Sequence, residues 1–156
     1  MKFFCDRMLG KLARKLRILG FDTLYYPQIS EEKVLELSKG RILLTRDKEL
    51  FRRASGMGRK VVFIESDDWK GQILQLTLVL PIEEEMEPFS RCVECNTPLI
   101  QAKPEDVKNR VPEYVFKTVD EFKTCPRCGK VYWRGTHIDW MDRDLGRLVG
   151  GWRRTG

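Results

Sequence analysis

At 156 residues, with 42% hydrophobic and 33% charged side chains, the chain has the size of one ordinary domain or one domain with a small appendage, and enough apolar content for a packed core. No apolar run approaches the roughly 18 residues that cross a bilayer, and the first apolar stretch runs straight into charges, without a signal-peptide layout, so no membrane partner is expected and the expected location is cytoplasmic. The net charge of +6 is uneven: residues 1–82 hold 16 Lys/Arg against 10 Asp/Glu, whereas 83–156 hold 13 of each. A basic first half carrying isolated acids suits a polyanionic partner, although a solvated basic surface has the same composition.

In chain order, Lys2–Cys5 reads as a buried strand that stops at Asp6. A helix follows, with Leu9, Leu12, Ala13, Leu16 and Leu19 on one face, basic residues Arg7, Lys11, Arg14, Lys15 and Arg17 elsewhere, and Gly20 as its stop. Thr23–Tyr26 is a short strand closed by Pro27. Ser30 is the expected N-cap of a helix through Lys39, with Glu31 and Glu32 in its first turn. Arg41–Thr45 is a strand leading to Arg46-Asp47, and a helix follows over Lys48–Ala54. Val61–Ile64 is the fourth strand, then Glu65-Ser66-Asp67-Asp68 and a helix from about Asp68 to Leu80. Strands alternating with helices predict an α/β fold with a mostly parallel sheet.

In such a sheet every strand's carboxyl end lies on one edge, which is where open α/β sheets place their chemistry. Asp6, Asp47 and Asp67 or Asp68 all fall there, the strand reading favouring Asp67, and Glu31 or Glu32 opens a helix on the same edge. Asp22 precedes its strand and belongs at the opposite edge, as a structural residue. Converging carboxylates without histidine or thiol are the hard oxygen ligands of Mg²⁺ or Mn²⁺, and one or two such ions can activate a water toward a phosphodiester. The competing reading makes each acid a helix cap. A two-histidine nuclease is excluded, because His137 is the only histidine.

Residues 83–90, EEEMEPFS, read as an acidic linker. Beyond it Cys92-Val-Glu-Cys95 and Cys125-Pro-Arg-Cys128 are two CxxC pairs separated by 29 residues, the layout of a tetrahedral four-cysteine zinc site. Four thiolates leave no open position, so the expected zinc is structural. The module reads as a zinc ribbon over 91–141, with strands expected at Val115–Phe122 and Lys130–Trp133, and 142–156 as a basic tail.

The segments CDRMLGKLARKLRILGFDT, ILLTRD, RCVECN and CPRCGKVYWRGTH together resemble the Mut-seven C-terminal RNase domain family. The resemblance implies a PIN-like three-layer nuclease domain over 1–82 joined to the ribbon, and a metal-dependent ribonuclease whose acids chelate Mg²⁺ or Mn²⁺, leaving a 5′-phosphate. Carried over by position, Asp6 and Asp47 match its acidic pattern best, with Glu31 or Glu32 and Asp67 or Asp68 completing the set. RNA, single-stranded by expectation, is the implied partner. Arg7, Lys11, Arg14, Arg46 and Lys48 flank the acids as candidate phosphate contacts. Arg127, Lys130, Tyr132, Trp133 and Arg134 are candidates on the ribbon, where the aromatics serve equally well as its core. The alternative is an inactive PIN-like fold retained for RNA binding.

Overall fold

The computed structural model describes residues 1–134; His137, the end of the expected ribbon and the tail 142–156 lie outside the described residues. Four short strands, β1 (Lys2–Cys5), β2 (Asp22–Tyr25), β3 (Ile42–Thr45) and β4 (Val61–Phe63), form a parallel sheet in the order β2-β1-β3-β4. The period of two along each strand sends alternate residues to opposite faces. Phe3 and Cys5 of β1, with Leu44 and Ile64, meet the apolar faces of α1 (Gly10–Ile18) and α4 (Trp69–Val79). Phe4 and Leu43 point the other way, into Val34 and Leu35 of α2 (Glu31–Leu37) and Leu50 and Ala54 of α3 (Lys48–Gly56). The result is the α/β architecture with a parallel sheet expected from the alternation, with helices on both faces of the sheet. Leu9, Leu12, Ala13, Leu16 and Leu19 are all buried, as their spacing requires. Each such leucine contributes about 1.5–3 kcal/mol by leaving water.

The edge strand β2 is closed by the second module. Beyond a 3-10 turn at Ile82–Glu85, residues 87–90 lie against the end of α1: Glu87 N–H donates to Leu19 C=O at 2.9 Å. Gly20 sits there at φ +96°, and a side chain in its place would run into the Glu87 carbonyl. The module itself has a three-stranded antiparallel sheet, β5 (Ile100–Ala102), β6 (Phe122–Thr124) and β7 (Val131–Trp133), with helices α5 (Pro104–Val107) and α6 (Glu113–Thr118). The strand expected at Val115–Phe122 is therefore only its last residue, and Val115 belongs to a helix. Pro112 opens that helix, Glu113 occupies its first turn and pairs with Lys117 at 2.9 Å one turn later, and Val115 faces Val107 and Phe122.

Asp22, the first residue of β2, lies at the amino edge as expected. Its Oδ1 accepts from Arg41 Nη1 at 2.7 Å and from Asn96 Nδ2 at 2.8 Å. Burial opposes ionisation of Asp22, but donation from Arg41 and Asn96 outweighs it and holds the carboxyl below its ordinary range. A depressed folded value means that the stabilisation is complete above the unfolded carboxylate pKa and disappears as pH falls through the folded one. Asp22→Asn is expected to cost about 1–2 kcal/mol at neutral pH. In chemical denaturation the gap between the two proteins should close below about pH 4, near the unfolded carboxylate pKa. A gap constant from pH 7 to pH 3 would show that the charge is irrelevant.

Candidate functional site

Asp6 leaves the carboxyl end of β1 and is only 6% exposed. It is not a helix cap: α1 begins at Gly10, its N-cap is Leu9, and no side chain caps it. The Asp6 carboxylate instead accepts from Arg7 N–H at 2.8 Å through Oδ1 and from the buried Thr45 hydroxyl at 2.8 Å through Oδ2. Thr45 Oγ1 in turn accepts from Asp47 N–H at 3.0 Å. One hydroxyl at the end of β3 thus locks the Asp6 rotamer and ties it to the backbone of the second acid. Among the described residues no cation lies within 4.0 Å of the Asp6 carboxylate, although it is buried.

Asp47 does cap a helix. Its Oδ1 accepts from Glu49 N–H at 2.9 Å and Leu50 N–H at 3.2 Å at the start of α3, which leaves Oδ2 without a described donor. Asp6 and Asp47 share a cleft of about 340 Å³ with Arg7, Ile29, Ser30, Glu31, Val34, Glu49 and Leu50. Ser30 caps α2 through Lys33 N–H at 3.2 Å, and that cap sets Glu31 at the cleft. Glu32 is not among the lining residues. Asp67 is exposed in the loop after β4 and does not line the cleft, and Asp68 next to it caps α4 through Gly71 N–H. Glu49 does line it, a position missed in the sequence because it follows Asp47 inside the helix rather than ending a strand.

The cleft therefore offers carboxylate oxygens and no nitrogen or sulfur ligand, the donor chemistry that suits Mg²⁺ or Mn²⁺. Its acids are not drawn to a point: among the described residues only the four cysteines bring three or more ligand atoms within 4.8 Å of one another. An ion held there would keep several waters and take one or two carboxylates.

Of the candidate phosphate contacts, Arg7 lines the cleft, and Lys11 and Lys48 are exposed. Arg46 is turned toward the protein, donating to the carbonyls of Ile64 at 3.4 Å and Glu65 at 3.2 Å. Arg14 pairs with Glu94 of the cysteine module at 3.0 Å. Arg134 pairs with Glu121 at 3.6 Å and lies over the Phe89 ring.

The cysteines form a second centre. Cys92 and Cys128 Sγ are 3.8 Å apart, and a tetrahedral zinc with bonds near 2.3 Å separates its thiolates by about 3.8 Å. Each CxxC folds as a knuckle: Cys95 N–H donates to Cys92 Sγ and Cys128 N–H to Cys125 Sγ, both at 3.4 Å. The residue after each knuckle is left-handed, Asn96 at φ +61° and Gly129 at φ +80°. Burial raises the Cys125 thiol, but N–H donation from Cys128 and Arg127 and the neighbouring thiols bring it down to about 7. Cys95 is pushed up to about 12, by desolvation first and then by the Cys128 and Cys125 thiols. A divalent cation bound among the four sulfurs would favour the thiolate form of each. Tyr132 belongs to the core of this centre: it is buried and its hydroxyl donates to Cys92 Sγ at 3.2 Å while accepting from Val93 N–H.

The family model of the Mut7-C RNAse domain matches residues 1–145. The chain belongs to this family. Membership in the Mut7-C RNAse domain family suggests a nuclease and implies RNA as substrate, and the four converging cysteines suggest a zinc site. No curated protein and no solved structure matches the chain. Among the described residues no helix is long and apolar enough to cross a membrane.

Proposed function

We propose that this Mut7-C chain is a metal-dependent ribonuclease that hydrolyses RNA phosphodiester bonds in the Asp6–Asp47 cleft. The observation that carries this reading is a buried carboxylate, Asp6, held rigid by two neutral donors and left, among the described residues, without a cationic partner. Desolvating a carboxylate is costly unless a positive partner compensates, so such a group is best explained by a ligand that arrives from solution. Asp6 and Asp47 would hold one or two Mg²⁺ or Mn²⁺ ions, Glu31 would complete the set from α2, and Asp67 would approach only through the loop after β4. Bound there, the ion would supply Lewis-acid activation of a water and charge neutralisation at the phosphorus. Thr45 fixes the angle of the Asp6 carboxylate. Asp47 is fixed by the first turn of α3, whose N-terminal dipole favours negative charge.

Arg7 at the cleft and Lys11 and Lys48 beside it would bind backbone phosphates of single-stranded RNA. Arg46 and Arg14 are better read as structural, since their guanidinium groups meet protein partners. The ribbon, with its structural zinc, would add phosphate contacts through the exposed Arg127, Arg134 being paired with Glu121, in a cytoplasmic setting that keeps the thiols reduced. Incubating the full chain with end-labelled single-stranded RNA, with Mn²⁺, with Mg²⁺ and with EDTA, tests the reading. Cleavage that requires the ion and leaves 5′-phosphates is expected. Binding without cleavage in every metal would favour a fold retained for RNA binding, and cleavage undiminished in EDTA would remove the metal.

A further inference from the structure

Glu31 is the member of the cleft least restrained by its own helix, yet it is tied down from a distance. Arg53, on α3, donates through Nη1 to Glu31 Oε2 at 3.0 Å. The other arm of the same guanidinium, Nη2, reaches Glu32 Oε1 at 2.7 Å. We propose that Arg53 is the positioning residue for Glu31, holding one of its carboxylate oxygens so that the other is presented to the cation in the Asp6–Asp47 cleft. This rests on the metal-ion reading of that cleft.

Glu31 and Glu32 are adjacent in the first turn of α2, and both side chains are substantially exposed. Left alone, two neighbouring carboxylates repel, and a long exposed glutamate samples many rotamers that a ligand must freeze out. The planar fork of Arg53 removes both difficulties: Glu32 anchors one arm, and the other arm anchors Glu31. Only Glu31 lines the cleft, and its Oε1 has no described donor. The two acidic neighbours have different tasks, one toward the cleft and one toward the arginine. A partner that orients a metal-ligating carboxylate in this way typically accounts for about 10–100-fold in metal affinity.

A plain surface ion pair between α2 and α3 would also show these distances, but it would affect folding rather than cation binding. The test therefore follows Mn²⁺ binding to the full chain without RNA, by the electron paramagnetic resonance signal of free Mn²⁺, with thermal melting as the control for folding. Arg53→Ala is expected to weaken Mn²⁺ binding about tenfold. Glu31→Gln should weaken it comparably, and the double variant should bind no more weakly than Glu31→Gln alone. Arg53→Lys should fall between, because one ammonium cannot serve both carboxylates in a fixed plane. Unchanged or tighter binding by Arg53→Ala, or additive losses in the double variant, would overturn the assignment while leaving the cleft reading intact. An Asp6→Asn chain that binds Mn²⁺ as well as the unaltered protein would overturn both.

Discussion

Asp6→Asn is expected to abolish metal-dependent RNA cleavage while leaving the protein as stable as before, or more so. The loss follows from the charge: on the proposed reading Asp6 would hold the ion, and removing it would forfeit several kcal/mol of transition-state stabilisation, about 10³-fold or more in kcat/KM. The stability follows from the surroundings. Asparagine keeps the shape, its oxygen can accept from Arg7 N–H, and its amide can donate to the Thr45 oxygen, so that the cost is confined to the Thr45 O–H, which must turn to another acceptor. What disappears is a buried negative charge with no cation beside it among the described residues, a group whose desolvation opposes folding. A gain of about 1 kcal/mol in metal-free buffer is in keeping with the usual trade between stability and activity at functional positions. Added Mn²⁺ should raise the melting temperature of the unaltered protein, by the linkage between binding and folding, and leave the variant unmoved. Two measurements decide it, cleavage of labelled RNA and thermal melting with and without Mn²⁺. If Asp6→Asn melted far below the unaltered protein in EDTA, Asp6 would be a structural residue and its inactivity would say nothing about chemistry.

The features that can be read from the chain are those set by local pattern. The unbroken apolar run Phe3-Phe4-Cys5 marks a strand buried on both faces, and the spacing from Leu9 to Leu19 defines one face of a helix; both are buried as the pattern requires. The CxxC pairs carry their own geometry, because a knuckle is closed by its own N–H groups onto its own sulfurs. What the chain does not show is what depends on distant partners. Arg14 belongs to a basic helix face in sequence, yet its partner Glu94 lies 80 residues away. Arg53 has no local signature at all, and its importance arises only because α2 and α3 share a face of the sheet. Tyr132 is equally plausible in sequence as a stacking surface or a core residue, and the choice is made by a hydroxyl bond to Cys92, 40 residues distant. The helix at Glu113–Thr118 reads in sequence as part of a strand because short apolar runs do not fix a period.

Removing zinc is expected to release the ribbon and, with it, one edge of the nuclease domain. The part of the ribbon that meets the sheet has little core: among the described residues the cluster around Cys92 and Cys125 adds only Phe89, Val93 and Tyr132 as buried members, while Val107, Val115 and Phe122 form a separate cluster. A module of this size depends on its metal, with apparent binding energies of about 10–16 kcal/mol for structural zinc at neutral pH. Its first knuckle is also the clasp on the neighbouring sheet. Asn96, left-handed directly after Cys95, accepts from Thr23 N–H of the edge strand at 2.9 Å and donates to Asp22. Arg17 from α1 donates to the Val93 carbonyl at 2.9 Å and to that of Glu94 at 3.3 Å, and through Nε to Thr23 C=O. These donors and acceptors are satisfied only while Cys92 to Asn96 keep the shape of the knuckle. Chelation, or Cys92→Ser, should therefore deprotect the amides of Asp22–Tyr25 and the last turn of α1 as well as those of the ribbon in hydrogen exchange. The melting temperature should fall by at least about 2–4 °C, the shift for 1 kcal/mol in a chain of this size. Freshly purified protein should carry about one zinc per chain, as a single four-cysteine centre requires. A chain that holds no zinc, or an exchange pattern at Asp22–Tyr25 indifferent to chelation, would rule out this coupling. The zinc would therefore act on the nuclease domain through one asparagine and one arginine, by holding the edge strand that lies beside the strand carrying Asp6.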